Sequence, residues 1–149
     1  MADDYDVALL KGLAVLLHTA GVGVWRETSA YTGSERAITL DGLPQTPISA
    51  ISLSAYPLAD SLIDHASQVG VQVVCREPGP DPTVARATAG RVFRTLHDRT
   101  HLRLTTGLHV VQLYRQSAVS GGREADGSCR SIQNFYADVH TPPPEETNP

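Results

Sequence analysis

The sequence predicts an α/β protein of the α+β kind: one mixed, largely antiparallel sheet with two helices packed on it. Three observations lead there. Two segments carry an apolar stripe at helical spacing. Runs rich in valine, isoleucine and aromatic residues lie between and after them. The last two of these runs are separated by a glycine-rich break, as in a β-hairpin. A single sheet carrying both helices buries both stripes.

The first helix rests on Leu9, Leu10, Leu13, Leu16 and Leu17, with Asp6 as the expected N-cap and Gly21 as the stop. Val22, Val24 and Trp25 suggest a short strand. Thr28 to Pro47 reads as a long loop punctuated by Gly33, Gly42, Pro44 and Pro47, with a short strand at Ala37 to Leu40. Loops of this length inside a domain are usually functional or mobile. Ile48 to Ala55 reads as a strand ended by Tyr56-Pro57, and Leu58 to Gln68 has no clear period. Val69 to Arg76 is the clearest strand, with Val69, Val71 and Val73 on one face.

Glu77-Pro78-Gly79-Pro80-Asp81-Pro82 is a turn into the second helix, with Asp81 as N-cap and Pro82 at the first helical position. Ala85, Ala89, Val92, Phe93 and Leu96 form its apolar face, and it ends near His97. Gly107 to Gln116 and Ser131 to His140 read as the hairpin strands. Ser120-Gly121-Gly122 and Asp126-Gly127 mark the loop between them. From Thr141 the chain is proline-rich and acidic, so residues 1–140 are read as the domain and 141–149 as an extended, mobile tail. The expected core contains Leu10, Leu13, Leu17, Val71, Val73, Val92, Phe93 and Leu96.

Composition narrows the function classes. A length of 149 residues favours one domain. A net charge of -4, with no basic run, gives no footprint for nucleic-acid binding. No stretch approaches the roughly 20 apolar residues of a membrane span. The acidic start at Asp3, Asp4 and Asp6 is unlike a secretory signal, so the chain reads as made and kept in a cytoplasm. Cys75 and Cys129 form no metal or redox motif and are expected as reduced thiols.

No catalytic constellation stands out. His97 and His101 have the four-residue spacing of a helical metal chelate, but the protease glutamate is missing, and a polar helix end explains them. Gly21-Val22-Gly23 lacks the third glycine and the following helix of a dinucleotide site. No serine sits in a nucleophile elbow. Trp25 reads as a core aromatic beside valines rather than a ligand platform. The expectation is therefore a binding protein: not an enzyme, without cofactor or metal. Tyr31, Glu35 and Arg36 in the long loop are candidate protein contacts. So are Arg115, Arg123 and Arg130 around the hairpin, whose other reading is solvated charge.

Residues spread along the chain resemble the tail terminator proteins of long-tailed phages, the minor capsid or head–tail joining proteins, and most of all those of phages infecting actinobacteria. They are Leu9-Leu10-Lys11-Gly12-Leu13-Ala14 with Leu17, Gly42-Leu43-Pro44, and Tyr56-Pro57. Val69-Gly70-Val71-Gln72-Val73-Val74-Cys75-Arg76, Asp81-Pro82 and Leu96-His97 follow. The hairpin adds Tyr114-Arg115-Gln116-Ser117, Gly122, Asp126, Gly127 and Asn134-Phe135-Tyr136-Ala137-Asp138-Val139. Asp98 stands where relatives commonly have glycine. The resemblance spans Asp6 to Val139 and implies a tail-terminator-like fold. It further implies a hexameric ring on the head-proximal end of the tail tube, assembled in the host cytoplasm and kept in the virion. Such a ring ends tube growth and meets the tube protein and the head–tail connector or stopper. Genomic DNA would pass through it without sequence-specific contact. Two other readings stand beside it: another neck component, such as a head-completion or stopper protein, and a small ligand-binding enzyme.

Overall fold

The computed structural model describes residues 4–60 and 66–140. The elements in chain order are α1 (Tyr5–Thr19), β1 (Val24–Trp25), β2 (Ala37–Leu40), β3 (Ala50–Asp60), β4 (Ala66–Glu77), α2 (Pro82–Leu96), β5 (Arg99–Arg103), β6 (His109–Arg123) and β7 (Cys129–His140). One seven-stranded sheet has the order β1-β2-β3-β4-β7-β6-β5. β1, β2 and β3 are mutually parallel, and every other pairing is antiparallel. The expected mixed, largely antiparallel sheet with two helices is found. The proline-rich tail and the centre of the Leu58 to Gln68 segment lie outside the described residues.

The helices form as their sequences dictate. α1 places Leu9, Leu10, Leu13, Ala14 and Leu17 on one buried stripe. Its N-cap is Asp4, two residues earlier than expected, and Asp6 sits in the first turn, where a carboxylate faces the positive helix end. Gly21 takes φ 76° just beyond Ala20 and lets the chain turn away. α2 starts as expected: the Asp81 carboxylate accepts from the Thr83 amide at 3.0 Å, and Pro82 opens the helix.

Both helices contribute to one core with the sheet. Leu9, Leu13 and Leu17 meet Ile38, Ile51 and Leu53, and Val92 and Leu96 share that core with Val71, Val73, Leu113 and Phe135. A fully buried leucine or valine contributes about 1.5–3 kcal/mol relative to exposure. Seven of the eight expected core residues are buried. Phe93 is the correction. It lies half-buried at the rim of the helix face, stacked on His97 at 4.5 Å, with the Arg115 guanidinium 4.0 Å above its ring.

Three strand expectations also change. β3 does not stop at Tyr56-Pro57: Pro57 pairs with Val69, and a register shift follows before Ala59. A proline is tolerated there because the strand's outer side is an edge. β6 runs through Ser120-Gly121-Gly122, which had read as loop, because register shifts at three places let the strand bend and continue. The hairpin turn is confined to Glu124–Ser128, where Gly127 donates to Glu124 O at 3.0 Å. β5, at Arg99–Arg103, has no alternating pattern in sequence and was missed.

The helix-free face of the sheet is crossed by Tyr56. Gly70 leaves the space: a Cβ there would lie 2.1 Å from the Tyr56 ring. The Tyr56 hydroxyl donates to Asn134 Oδ1 at 3.1 Å, which ties β3 to β7 over β4. Gly12 does similar work on α1, since a Cβ would meet Leu104 at 2.6 Å.

Candidate contact surface

The segment from Trp25 to Ser49 is held by two adjacent residues at the end of β4. β4 alternates, so Glu77 faces the helices and Arg76 the helix-free side. The Glu77 carboxylate is buried at 2% exposure. It accepts from Arg36 Nη2 at 2.7 Å and Nε at 3.1 Å, from Thr88 Oγ1 of α2 at 2.6 Å, and from the Ser49 hydroxyl. Arg36 Nη1 also donates to Val22 O at 2.9 Å. A buried carboxylate is tolerable only with such partners.

Arg76 holds the connection between β2 and β3. Its Nε donates to Ile48 O at 2.8 Å, and its Nη2 to Pro47 O at 3.1 Å and to Pro44 O. Burial pushes its guanidinium below the ordinary arginine value, and nearby Arg130 adds to this. Parallel neighbours normally need a crossover of a dozen or more residues. Here the 41–49 arch joins parallel β2 and β3 directly, with its carbonyls gathered on one guanidinium. Neither Arg76 nor Glu77 was singled out from sequence. The only signal was a charged pair at the end of an apolar strand.

The three candidates in the long loop are braced internally. Arg26 Nη2 meets Glu35 Oε2 at 2.5 Å, and Glu35 Oε1 accepts from the Thr32 amide at 2.7 Å. The Arg26 guanidinium first, then the Thr32 amide, hold the Glu35 carboxyl down to about 2. The Tyr31 hydroxyl donates to Ile38 O and accepts from the Arg26 amide at 3.1 Å. Tyr31, Glu35 and Arg36, the candidate contacts of this loop, are half-buried, while Thr32, Gly33 and Ser34 are exposed. Trp25 is half-buried against the core. It also lines an open hollow of about 490 Å³ with Lys11, Glu27 and Tyr31, where Lys11 Nζ meets Glu27 Oε1 at 2.8 Å.

The hairpin candidates divide. Arg115 joins the fold: its amide donates to His97 Nδ1 at 2.9 Å, and its Nη1 to Gln133 Oε1 at 3.2 Å. Buried Gln133 in turn donates to Ala89 O at 2.9 Å. His97 thus caps α2 and anchors β6, while His101 lies on β5, 5.8 Å from the His109 ring, so the two do not act as a helical pair. Arg123 donates to Pro80 O at 2.9 Å, and Arg130 ion-pairs with Glu124. These two mark the hairpin end. Beside them, the strand from Gln116 to Arg123 is exposed throughout.

Cys75 and Cys129 are buried free thiols on neighbouring strands. Burial pushes the Cys75 thiol up to about 12. No group of three or more histidine, cysteine or acidic residues able to hold a metal exists among the described residues. No helix among them is long and apolar enough to cross a membrane.

A scan against protein-family models finds no match, and neither does a search of the curated proteins. Among solved structures, the fold is similar to that of a chain in the virion of a native gene transfer agent particle. The TM-score is 0.55 at 19% identity, over 85% of this chain and 83% of that one. The two chains share a fold over most of their lengths.

Proposed function

We propose that this chain is a structural, non-enzymatic protein of a phage-like virion. In this reading it forms a homo-hexameric ring on the head-proximal end of the tail tube, ends tube polymerisation, and offers the surface on which the head connector or stopper docks. The observation that carries the reading is the fold similarity, over 85% of this chain, to a chain of a gene transfer agent virion. The tail-terminator resemblance of the sequence adds the position on the tube. A closed cyclic ring also suits a tube with rotational symmetry.

The described surface fits an assembly role. The hairpin end with Arg123 and Arg130, and the exposed Thr32–Ser34 rim between Tyr31, Glu35 and Arg36, are the proposed contacts with tube, connector or neighbour. Arg115 supports the hairpin from below. DNA would cross the ring without sequence-specific contact, and no cofactor takes part.

Immunogold labelling of intact particles tests the position. Label at the head–tail junction, on the tail side, is expected, and label persists on tails released without heads. Label that stays with the head after tails detach favours a head-completion or stopper protein instead.

A further inference from the structure

The sheet is stepped at both margins, and the steps complement each other. β5 pairs only with His109–Leu113 of β6 and the Arg115 amide is taken by His97 Nδ1, so among the described residues the outer edge of β6 from Gln116 to Arg123 has no strand beside it. On the far margin β2 pairs only with Ala50–Leu53, so among the described residues no strand lies beside the outer edge of β3 from Ser54 to Asp60. Rows of unpaired N–H and C=O groups are templates for a further strand. Soluble monomers guard such edges with lysine, proline or charge. From Gln116 to Gly122, β6 carries no lysine, proline or charge, and its small or uncharged residues are all exposed; the bulges at Arg115/Ser117 and Ser120/Gly122 bend the run and leave Ser117–Ser120 between them as its regular stretch. Leu58 at 37% and Val119 at 58% are two of the four exposed large hydrophobics among the described residues, and one lies on each open run.

Direction and position also match. β3 is antiparallel to β4, β4 to β7, and β7 to β6, so β3 and β6 run in opposite senses. Two copies set side by side in the same orientation bring β6 of one against β3 of the next as an antiparallel pair. Their helices stay on the same face. The open β3 run lies level with Ser117 back to Val110, whereas the open β6 run reaches the opposite end of the sheet at Arg123. The second copy therefore slides along the strand direction. A constant slide repeated around a ring is the strand tilt that a closed sheet requires. Pro57 removes one donor from the β3 edge, so pairing falls on either side of it.

We propose that the open edge of β6 binds the open edge of β3 in a second copy of this chain, so that the sheet continues from subunit to subunit. This rests on the ring reading above and names the two surfaces that would join neighbours. Pairing of β6 with β6 about a two-fold axis would instead close at a dimer.

The test is disulfide or short bis-maleimide trapping in Leu58→Cys, Val119→Cys and the double variant. It is run on the full chain over a range of concentrations and on purified tails. Cys75 and Cys129 are buried, so the unsubstituted chain sets the background. Covalent species larger than a dimer, from the double variant alone, are the expected result. A covalent dimer from Val119→Cys alone overturns the proposal, and so does a double variant that stays monomeric under every condition. Val119→Lys provides a second readout: it should keep its circular dichroism and melting curve while losing the ring. A ring unaffected by Val119→Lys also overturns the proposal. If the ring is trapped as expected but tails keep normal length without it, the sheet pairing stands and only the terminator role fails.

Discussion

Arg36 and Glu77 stand 41 residues apart in the chain and meet at 2.7 Å, where they join the start of β2 to the end of β4 and, through Thr88, to α2. The long loop is therefore part of the fold rather than a free connector. Removing one member of a buried pair leaves the other charge uncompensated, which typically costs about 3–5 kcal/mol. Arg36→Met should fall at the lower end of that range, because its guanidinium is partly exposed. Urea unfolding of Arg36→Met, Glu77→Gln and the double variant measures the coupling. Single variants as stable as the wild type would remove this pair as the anchor.

The same pair shows how far the sequence could be read. The stripe of Leu9, Leu13 and Leu17, the Asp81-Pro82 helix start and the Val69–Val73 alternation are local patterns, and each lies where its period put it. The parallel β1-β2-β3 margin depends on Arg76 and Glu77 reaching residues some thirty or forty positions earlier, and no local period encodes that. β6 was cut short because its glycines read as a turn, whereas paired against β7 they serve at bulges. The six candidate contacts are charged or aromatic residues of the long loop and the hairpin. Several turned out to brace the fold, because arginine and tyrosine serve internal bonds as readily as external ones.

Gly70→Ala tests the packing of the helix-free face. The new methyl would meet the Tyr56 ring and force it off Asn134. Overpacking of this kind costs about 1–3 kcal/mol. In a Tyr56→Ala background the same substitution should cost little. Equal costs in both backgrounds, measured by thermal unfolding, would mean that the ring does not lie over Gly70.

Acid should loosen the segment from Arg26 to Ile38. The Glu35 carboxyl is held at about 2, below the ordinary 4.5. A carboxyl lowered by folding contributes stability that is complete above its unfolded value and is lost as the pH falls through its folded value. The melting temperature of the wild type should thus fall toward that of Glu35→Gln as the pH drops from about 4.5 to about 2. A constant gap between the two proteins over that range would show that Arg26 and Glu35 do not pair.

Neither thiol should react in the folded protein. Cys75 is fully buried with its thiol raised to about 12, and Cys129 is also buried. A maleimide should label both only after denaturation. Rapid labelling of Cys75 in native buffer would mean that β4 is not central in the sheet.

Core truncation should separate the centre from the rim. Leu13→Ala removes a fully buried side chain and should cost about 2–5 kcal/mol. Phe93→Ala, at the half-buried rim, should cost less, and part of its effect should vanish in an Arg115→Ala background, because the two stack. Equal, additive losses would contradict the stacked arrangement.

The most direct test of the proposed role is the length of tails assembled in the absence of this protein, read by electron microscopy. Tails that overgrow and fail to join heads, with normal length and joining restored when the protein is supplied, are the predicted result. Tails of normal length attached to heads without it would contradict the role at the end of the tube.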